Sequence, residues 1–266
     1  MMQAISLQSG SNGNCYFVRS NGSSLLIDAG ISGIQAERRL ADHNINIRDI
    51  DALVVSHDHA DHISCAGVYH RKYGLPVYIS QRTYEYASRY RALGRIDDLY
   101  FFRPGDTLRF GNITVETIPT PHDASDGSAI VVVSGDNRLG ILTDLGHVFD
   151  GLHSVISSLN AVFLESNYDP RMLETGPYPS FLKKRIKGPG GHISNIESAE
   201  LLCSADSGRM QWACLAHLSE NNNEPEIALR TNKEIAGSSF PVFALSRYSV
   251  SEVHVVTSSS DQLALL

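Results

Sequence analysis

The sequence predicts an α/β protein of four layers, two β-sheets packed face to face with helices outside, an αββα sandwich. Three observations predict it. Strand-like runs cluster in both halves of the chain, each cluster is followed by helix-like segments, and sheets that are apolar on one face must bury that face against another layer. With 266 residues, 42% of them hydrophobic, and no long apolar run, the chain has interior enough for one large domain spanning 1–266.

The elements follow in order. QAISL, CYFVRS and SLLIDAG, separated by Gly, Ser and Asn turns, read as a meander of adjacent strands. A helix from about Gln35 to Ala41 precedes the apolar run Ile50, Ala52, Leu53, Val54, Val55, which leads straight into a histidine cluster. Then come helix-like HISCAGVYHRKYG, strand PVYIS, a helix from about Gln81 to Tyr90, and GDTLRFGNITVETIPTPH, whose alternation around Gly111-Asn112 marks a hairpin. The second half brings strands SAIVVVS and RLGILTD, a helix near Leu152, strand AVFLES, helices near Ser180 and Asn195, strand WACLAHL, a helix near Glu226, and final strands PVFAL and EVHVV. The glycines at 188–191 form too short a stretch to separate domains.

Composition narrows the classes. The start, MMQAISLQSGSNGNC, has no basic n-region and no continuous apolar core, so no secretory signal is expected, and no later segment approaches a membrane span. A cytoplasmic protein without membrane partners is the expectation. Cys15, Cys65, Cys203 and Cys214 are scattered without a CxxC pair, which argues against a disulfide framework or a thiolate zinc site and for small buried hydrophobes. The net charge of -7 disfavours wide electrostatic wrapping of nucleic acid but leaves room for a local basic site.

The chemistry concentrates in VSHDHADH, where His57, His59, Asp61 and His62 follow a buried strand. In extended chain, residues two apart face the same way, so His57 and His59 converge on one ion, while Asp61 and His62 fall in the turn that begins the next helix and point elsewhere. Four such donors crowd one tetrahedral ion, whereas two neighbouring ions divide them.

This cluster resembles the signature HxHxDH of the metallo-β-lactamase superfamily. The resemblance implies the metallo-β-lactamase fold and further ligands at His122 in TIPTPH, Asp144 in ILTDLG and His217 in CLAHLS. On that pattern His57, His59 and His122 hold one ion, Asp61, His62 and His217 a second, and Asp144 bridges them; Asp61 has a catalytic role besides. Two divalent ions bring about four positive charges, and Asp61, Asp144 and a bridging hydroxide offset about three, so an anionic or oxyanion-forming substrate is expected. Hydrolysis by that hydroxide is the expected reaction class. Histidine with carboxylate suits Zn²⁺, Mn²⁺ or Fe²⁺.

A narrower likeness rests on SGSNGNCYFV, ESNYDPRML, GPYPSFLKKRIKGPGGHISN and LAHLSENNNEP, which look like the YycJ/WalJ-type subfamily. It implies a DNA-processing phosphodiesterase, a 5′-to-3′ exonuclease, more compact than ribonuclease J and its cross-link repair relatives. Lys183, Lys184, Arg185 and Lys187 place four positive charges in five residues before a Gly-rich turn and His192. They read either as phosphate contacts, Lys187 foremost, with a turn that lets backbone approach a ligand, or as the basic end of a helix that the glycines stop. His192 is the candidate to stabilise the scissile phosphate or donate a proton to the leaving oxygen. Ser194 and Asn195 are substrate contacts or caps of the following helix; Ser11 and Asn14 lie in a polar turn that reaches over the site or simply joins strands. Asn221 to Asn223 orient substrate or water, or form a turn. A hydrolase of small esters, thioesters or lactones is the alternative, favoured by the acidic net charge. A di-iron redox carrier is disfavoured because His59 stands where such relatives tend to use an acid. Oligomeric state stays open.

Overall fold

The computed structural model describes residues 1–257 apart from 207 and 238. In chain order the elements are β1 (Met2–Gln8), β2 (Cys15–Ser20), β3 (Ser23–Ile27), α1 (Gly33–Ala41), β4 (Ala52–Val54), α2 (Ala60–Ile63), α3 (Ala66–Tyr73), β5 (Val77–Ser80), α4 (Gln81–Tyr90), β6 (Leu99–Phe102), β7 (Thr107–Phe110), β8 (Ile113–Pro119) and β9 (Ser128–Ser134). There follow β10 (Asn137–Leu142), α5 (Leu152–Ser158), β11 (Ala161–Glu165), α6 (Pro170–Thr175), α7 (Ser180–Lys187), α8 (Asn195–Leu202), β12 (Trp212–Ala216), α9 (Pro225–Ile235), β13 (Val242–Ala244) and β14 (His254–Val256).

Two seven-stranded sheets result, in the orders β14-β1-β2-β3-β4-β5-β6 and β13-β12-β11-β10-β9-β8-β7. Each is antiparallel through its meander and parallel beyond it, from β3 to β6 in the first sheet and from β10 to β13 in the second. The inner faces close on one core, where Tyr16 of the first sheet and Phe163 of the second lie with ring centroids 5.2 Å apart. Full burial of such side chains stabilises by about 1.5–3 kcal/mol each. The outer face of the first sheet is covered by residues of α1 and α3, that of the second by α5, α8 and α9. These are the four layers the pattern predicts.

Four local expectations change. HISCAGVYHRKYG breaks into α2 and α3, because the turn after β3 inserts at the break: Ala29 N–H donates to His62 O, and Cys65 N–H donates back to Ala29 O. Leu99–Phe102, unremarked in the sequence, forms the edge strand β6, with Tyr100 and Phe101 exposed. EVHVV leaves the second half and joins the first sheet beside β1, antiparallel. Cys15 and Cys214 are buried, but Cys203 is exposed at the end of α8. No helix among the described residues is long and apolar enough to cross a membrane.

Candidate metal centre

Asp28, His57, His122, Asp144, Glu165 and His217 all stand at or just past the C-terminal ends of strands, so they converge at one end of the sandwich, where parallel α/β sheets open onto their ligand sites. His57 and His59 occupy the loop after β4; Asp61 and His62 lie in α2, as expected. Gly30 makes that possible, since a Cβ there would lie 1.7 Å from Asp61 O. Asp58, itself no donor to the cluster, takes the Ser125 N–H at 3.0 Å and ties this loop to the one carrying His122.

Ligating atoms of His57, His59 and His122 lie within 4.8 Å of one another, as do those of Asp61, His62 and His217. Asp144 faces both sets: its Oδ1 is 3.5 Å from His122 Nε2 and its Oδ2 is 3.0 Å from His62 Nε2. Asp28, Asp144 and His217 hold positive φ of 66°, 57° and 55°, a conformation that costs non-glycine residues and that collects at functional sites.

The buried histidines carry the signature of ligands whose second ring nitrogen is fixed by protein. His62 Nδ1 donates to Asp28 Oδ2 at 2.7 Å, and His122 Nδ1 donates to Gly191 O at 2.9 Å. Ser56 Oγ donates to Asp28 Oδ2 at 2.9 Å and therefore accepts from His57 Nδ1, also at 2.9 Å. That leaves His57 Nε2 buried without a hydrogen-bond partner among the described residues; Asp144 Oδ2 accepts none either, despite its nearness to His62. Orphaned buried donors and acceptors cost stability unless something fills the gap. A cluster of imidazole nitrogens and carboxylate oxygens around that gap fits divalent metal ions.

The electrostatics agree. Burial pushes the imidazoles of His57 and His122 down, so both are neutral near pH 7. For His217 burial acts downward too, but Asp144, Asp61 and Glu165 outweigh it and lift the imidazole to about 10. His62 is raised likewise, the carboxylates of Asp144, Asp28 and Asp61 prevailing over burial. Asp144 is held well below the carboxylate range by His217 and His62 despite its burial. Without ions, protons and fixed charges do the neutralising.

Glu165 and Asp28 were not among the residues singled out from the sequence. Glu165 is fully buried and takes His192 Nδ1 at 2.7 Å on one oxygen and Leu145 N–H at 3.0 Å on the other. Burial works against its charge, yet His192 brings the carboxyl to about 2. Both acids end apolar runs, in SLLIDAG and AVFLES, as Asp144 does in ILTD. A charged residue closing a buried strand was the available signal.

A cavity of about 190 Å³ opens onto the cluster, lined by Ser11, His59, Asp61, Asp144, His192 and His217 and, from the second half, Asn167, Tyr178, Leu182, Arg185, Ile186 and Ser219. A larger cavity of about 740 Å³ beside Arg138 and Arg209 contains none of the donors. Ser11 and His192 reach this cavity; the other predicted contacts do not line it. Asn14 is fully buried, its amide donating to Asp61 Oδ2 at 3.2 Å and meeting His62 Nε2 at 2.9 Å, so it holds the cluster from behind. Ser194 caps α8 in a capping box with Glu197. Asn195 exchanges amide hydrogen bonds of 2.9 Å with Asn223 and is 1% exposed. Asn221 donates to Tyr178 Oη at 3.1 Å, and Asn222 to Ser219 Oγ.

Of the basic segment, Lys183 and Lys187 turn to Glu174, and Arg185 alone lines the cavity, bound to Asp123 through two hydrogen bonds of 2.6 and 2.9 Å. The basic residues do crowd the last turn of α7, with Gly188 at its end. The glycines admit protein backbone, since a Cβ on Gly191 would meet Ile186 O at 2.1 Å.

A family model described as the metallo-beta-lactamase superfamily matches residues 9–170. The chain belongs to that superfamily. Within it, the chain is 37% identical over 224 residues to exodeoxyribonuclease YycJ of Bacillus anthracis, covering 84% of each protein. It is 34% identical over 227 residues to exodeoxyribonuclease WalJ of Streptococcus pneumoniae, covering 85% of this chain and 84% of that one. Among solved structures, the metallo-beta-lactamase fold protein YhfI of Bacillus subtilis superposes with a TM-score of 0.73 at 18% identity, over 95% of this chain and all of the other. The fold is therefore that of the superfamily, and the HxHxDH loop stands where the superfamily model matches.

Proposed function

We propose that the protein is a phosphodiesterase acting on DNA, an exonuclease of 5′-to-3′ polarity in the cytoplasm, working with two divalent ions, Zn²⁺, Mn²⁺ or Fe²⁺. The observation that carries the reading is the coincidence of a full donor set with relatives that are named exodeoxyribonucleases at 37% and 34% identity. His57, His59 and His122 would hold one ion, Asp61, His62 and His217 the other, with Asp144 between them. Bound there, the ions supply charge stabilisation at phosphoryl oxygens and a water acidified to near neutrality.

The chain's own residues supply the rest. Asp61 is half-buried, its side chain 19% accessible against 4% for Asp144, and it borders the cavity, so it can accept a hydrogen bond from the attacking water. His192 faces the same cavity with Nδ1 occupied by Glu165, which leaves Nε2 to give a proton to the leaving oxygen. Glu165 fixes that orientation. Arg185 adds the only Lys or Arg charge among the residues lining the cavity, and Ser11 a hydroxyl. Glu165 accepts from His192 and from the backbone N–H of Leu145, which supports an orienting role.

The test is the purified protein reconstituted separately with Zn²⁺ and Mn²⁺ and offered end-labelled single- and double-stranded DNA, RNA, a chromogenic phosphodiester and a thioester. Release of mononucleotides from one DNA end is the expected result. Thioester turnover with no phosphodiester cleavage under either metal would overturn the reading in favour of a small-molecule hydrolase.

A further inference from the structure

Beside the catalytic cavity lies a second one of about 300 Å³, lined among others by Ser219, Glu220, Asn223, Ser246, Arg247 and Tyr248. The two share Ser219, and Leu218 in this second wall follows His217 directly. We propose that this cavity is a phosphate subsite, in which Arg247 binds a backbone phosphate of the substrate strand other than the one being cleaved. The inference rests on the reading of the protein as a DNA phosphodiesterase.

Two observations carry it. First, Arg247 is built in and left incomplete. Its side chain is 12% exposed, and its Nε and Nη1 are buried without a hydrogen-bond partner among the described residues. Buried guanidinium N–H groups without acceptors are costly, and Nη2 makes a fork that matches a phosphate with either Nε or Nη1. Nη2 alone has an acidic neighbour, Glu220 Oε2 at 3.3 Å. Glu220 is exposed at its carboxylate end and also accepts from Tyr248 Oη at 2.8 Å, itself an exposed side chain. The largely buried guanidinium thus has two exposed partners, the Glu220 carboxylate and the Tyr248 ring 5.5 Å from it, and both can give way to a better anion.

Second, the segment is anchored to the catalytic cavity. Ser9 N–H donates to Ser246 O at 3.2 Å, Leu245 N–H donates to Leu215 O at 2.9 Å, and Asn12 Nδ2 donates to Arg247 O at 3.0 Å. Gly10 packs so closely that a Cβ would lie 3.0 Å from Arg247 Cβ. The turn that bears Ser11 at the catalytic cavity is thus the turn that seats Arg247. The guanidinium is a positioned group at the border of the site, on the side of the site residue His217 that Leu218 and Ser219 continue. As the phosphate enters, Glu220 and Tyr248 move out, and Nη2 with one of its unpartnered neighbours donates to the phosphate oxygens.

The experiment compares wild type with Arg247→Ala and Arg247→Lys on a series of end-labelled oligonucleotides, each with one phosphate near the scissile bond replaced by a neutral methylphosphonate. In wild type, one position other than the scissile linkage raises KM by about tenfold or more. Arg247→Ala raises KM on unmodified DNA by a similar factor, and the same methylphosphonate then adds less than about twofold; Arg247→Lys falls between. A merely structural arginine would leave the methylphosphonate penalty intact in the variants, and that result overturns the subsite. So does a wild type that cleaves DNA but is indifferent to every non-scissile phosphate. A wild type that cleaves no DNA overturns the parent reading instead, an outcome visible before any variant is made. Thermal melting of each variant verifies that the comparison is made on folded protein.

Discussion

The two sheets deliver their site residues in contrasting ways. The first supplies His57, His59, Asp61 and His62 from six consecutive positions after one strand. The second supplies Asp144, Glu165 and His217 singly, from the ends of β10, β11 and β12. In the loop, local backbone decides the geometry. In the second sheet, register decides it: Leu142, Leu164 and Leu215 pair across the three parallel strands, which brings the residues just beyond them to one place. A slip of one residue would turn each donor to the opposite face. Positive φ at Asp144 and His217 shows the backbone bent to aim single residues, whereas His57 and His59 need no such strain.

Removing a singly delivered donor tests that contrast hardest. Asp144→Ala should lower phosphodiesterase kcat/KM by about 10³-fold or more and reduce bound metal, because no neighbour can replace a carboxylate that faces both ligand sets. His122→Ala should behave alike; full metal content by elemental analysis in either variant would refute the ligand assignment. The supporting acids separate the halves next. Asp28→Asn should weaken metal binding by about 10–100-fold through His62, whereas Glu165→Gln should lower kcat by a similar factor with metal content retained, through His192. Loss of metal in Glu165→Gln would make Glu165 a ligand.

Proton linkage gives a smaller effect. His217 is lifted to about 10 and so holds a proton at pH 7 in the metal-free protein. An ion must displace that proton, so binding should release acid and weaken as pH falls, by about tenfold per pH unit for each proton released. Calorimetry in buffers of differing ionisation enthalpy measures it; metal affinity independent of pH between 6 and 8 would contradict the shift. Smallest, Ser194→Ala should cost about 1 kcal/mol of stability through the α8 cap, with metal content unchanged.

The same contrast explains what the sequence made legible. The loop is readable because its donors are contiguous, and the strand runs around it carry their periodicity openly. His122, Asp144 and His217 emerge only by likeness to a family, since a lone histidine or aspartate after a strand has many other uses. Asp28 and Glu165 could have been noticed as charges closing buried runs. The four positive charges, Lys187 and Arg185 among them, look equivalent along the chain; helical spacing separates them, since Leu182, Arg185 and Ile186 share one face at i, i+3 and i+4, the face that lines the cavity. Asn14 and Asn195 look like surface turn residues until the fold buries their amides in hydrogen bonds, Asn14 against Asp61 and His62 and Asn195 against Asn223. Edge strand β6 escaped because its exposed aromatics show no alternation.

The most direct test of a two-ion centre shared between the sheets is a titration of metal-free protein with Zn²⁺ or Mn²⁺, following bound metal and release of nucleotide from end-labelled DNA in the same samples. Activity should stay near background through the first equivalent and rise with the second, ending at two ions per chain. Full nuclease activity at one bound ion per chain, with no further uptake, would contradict the account.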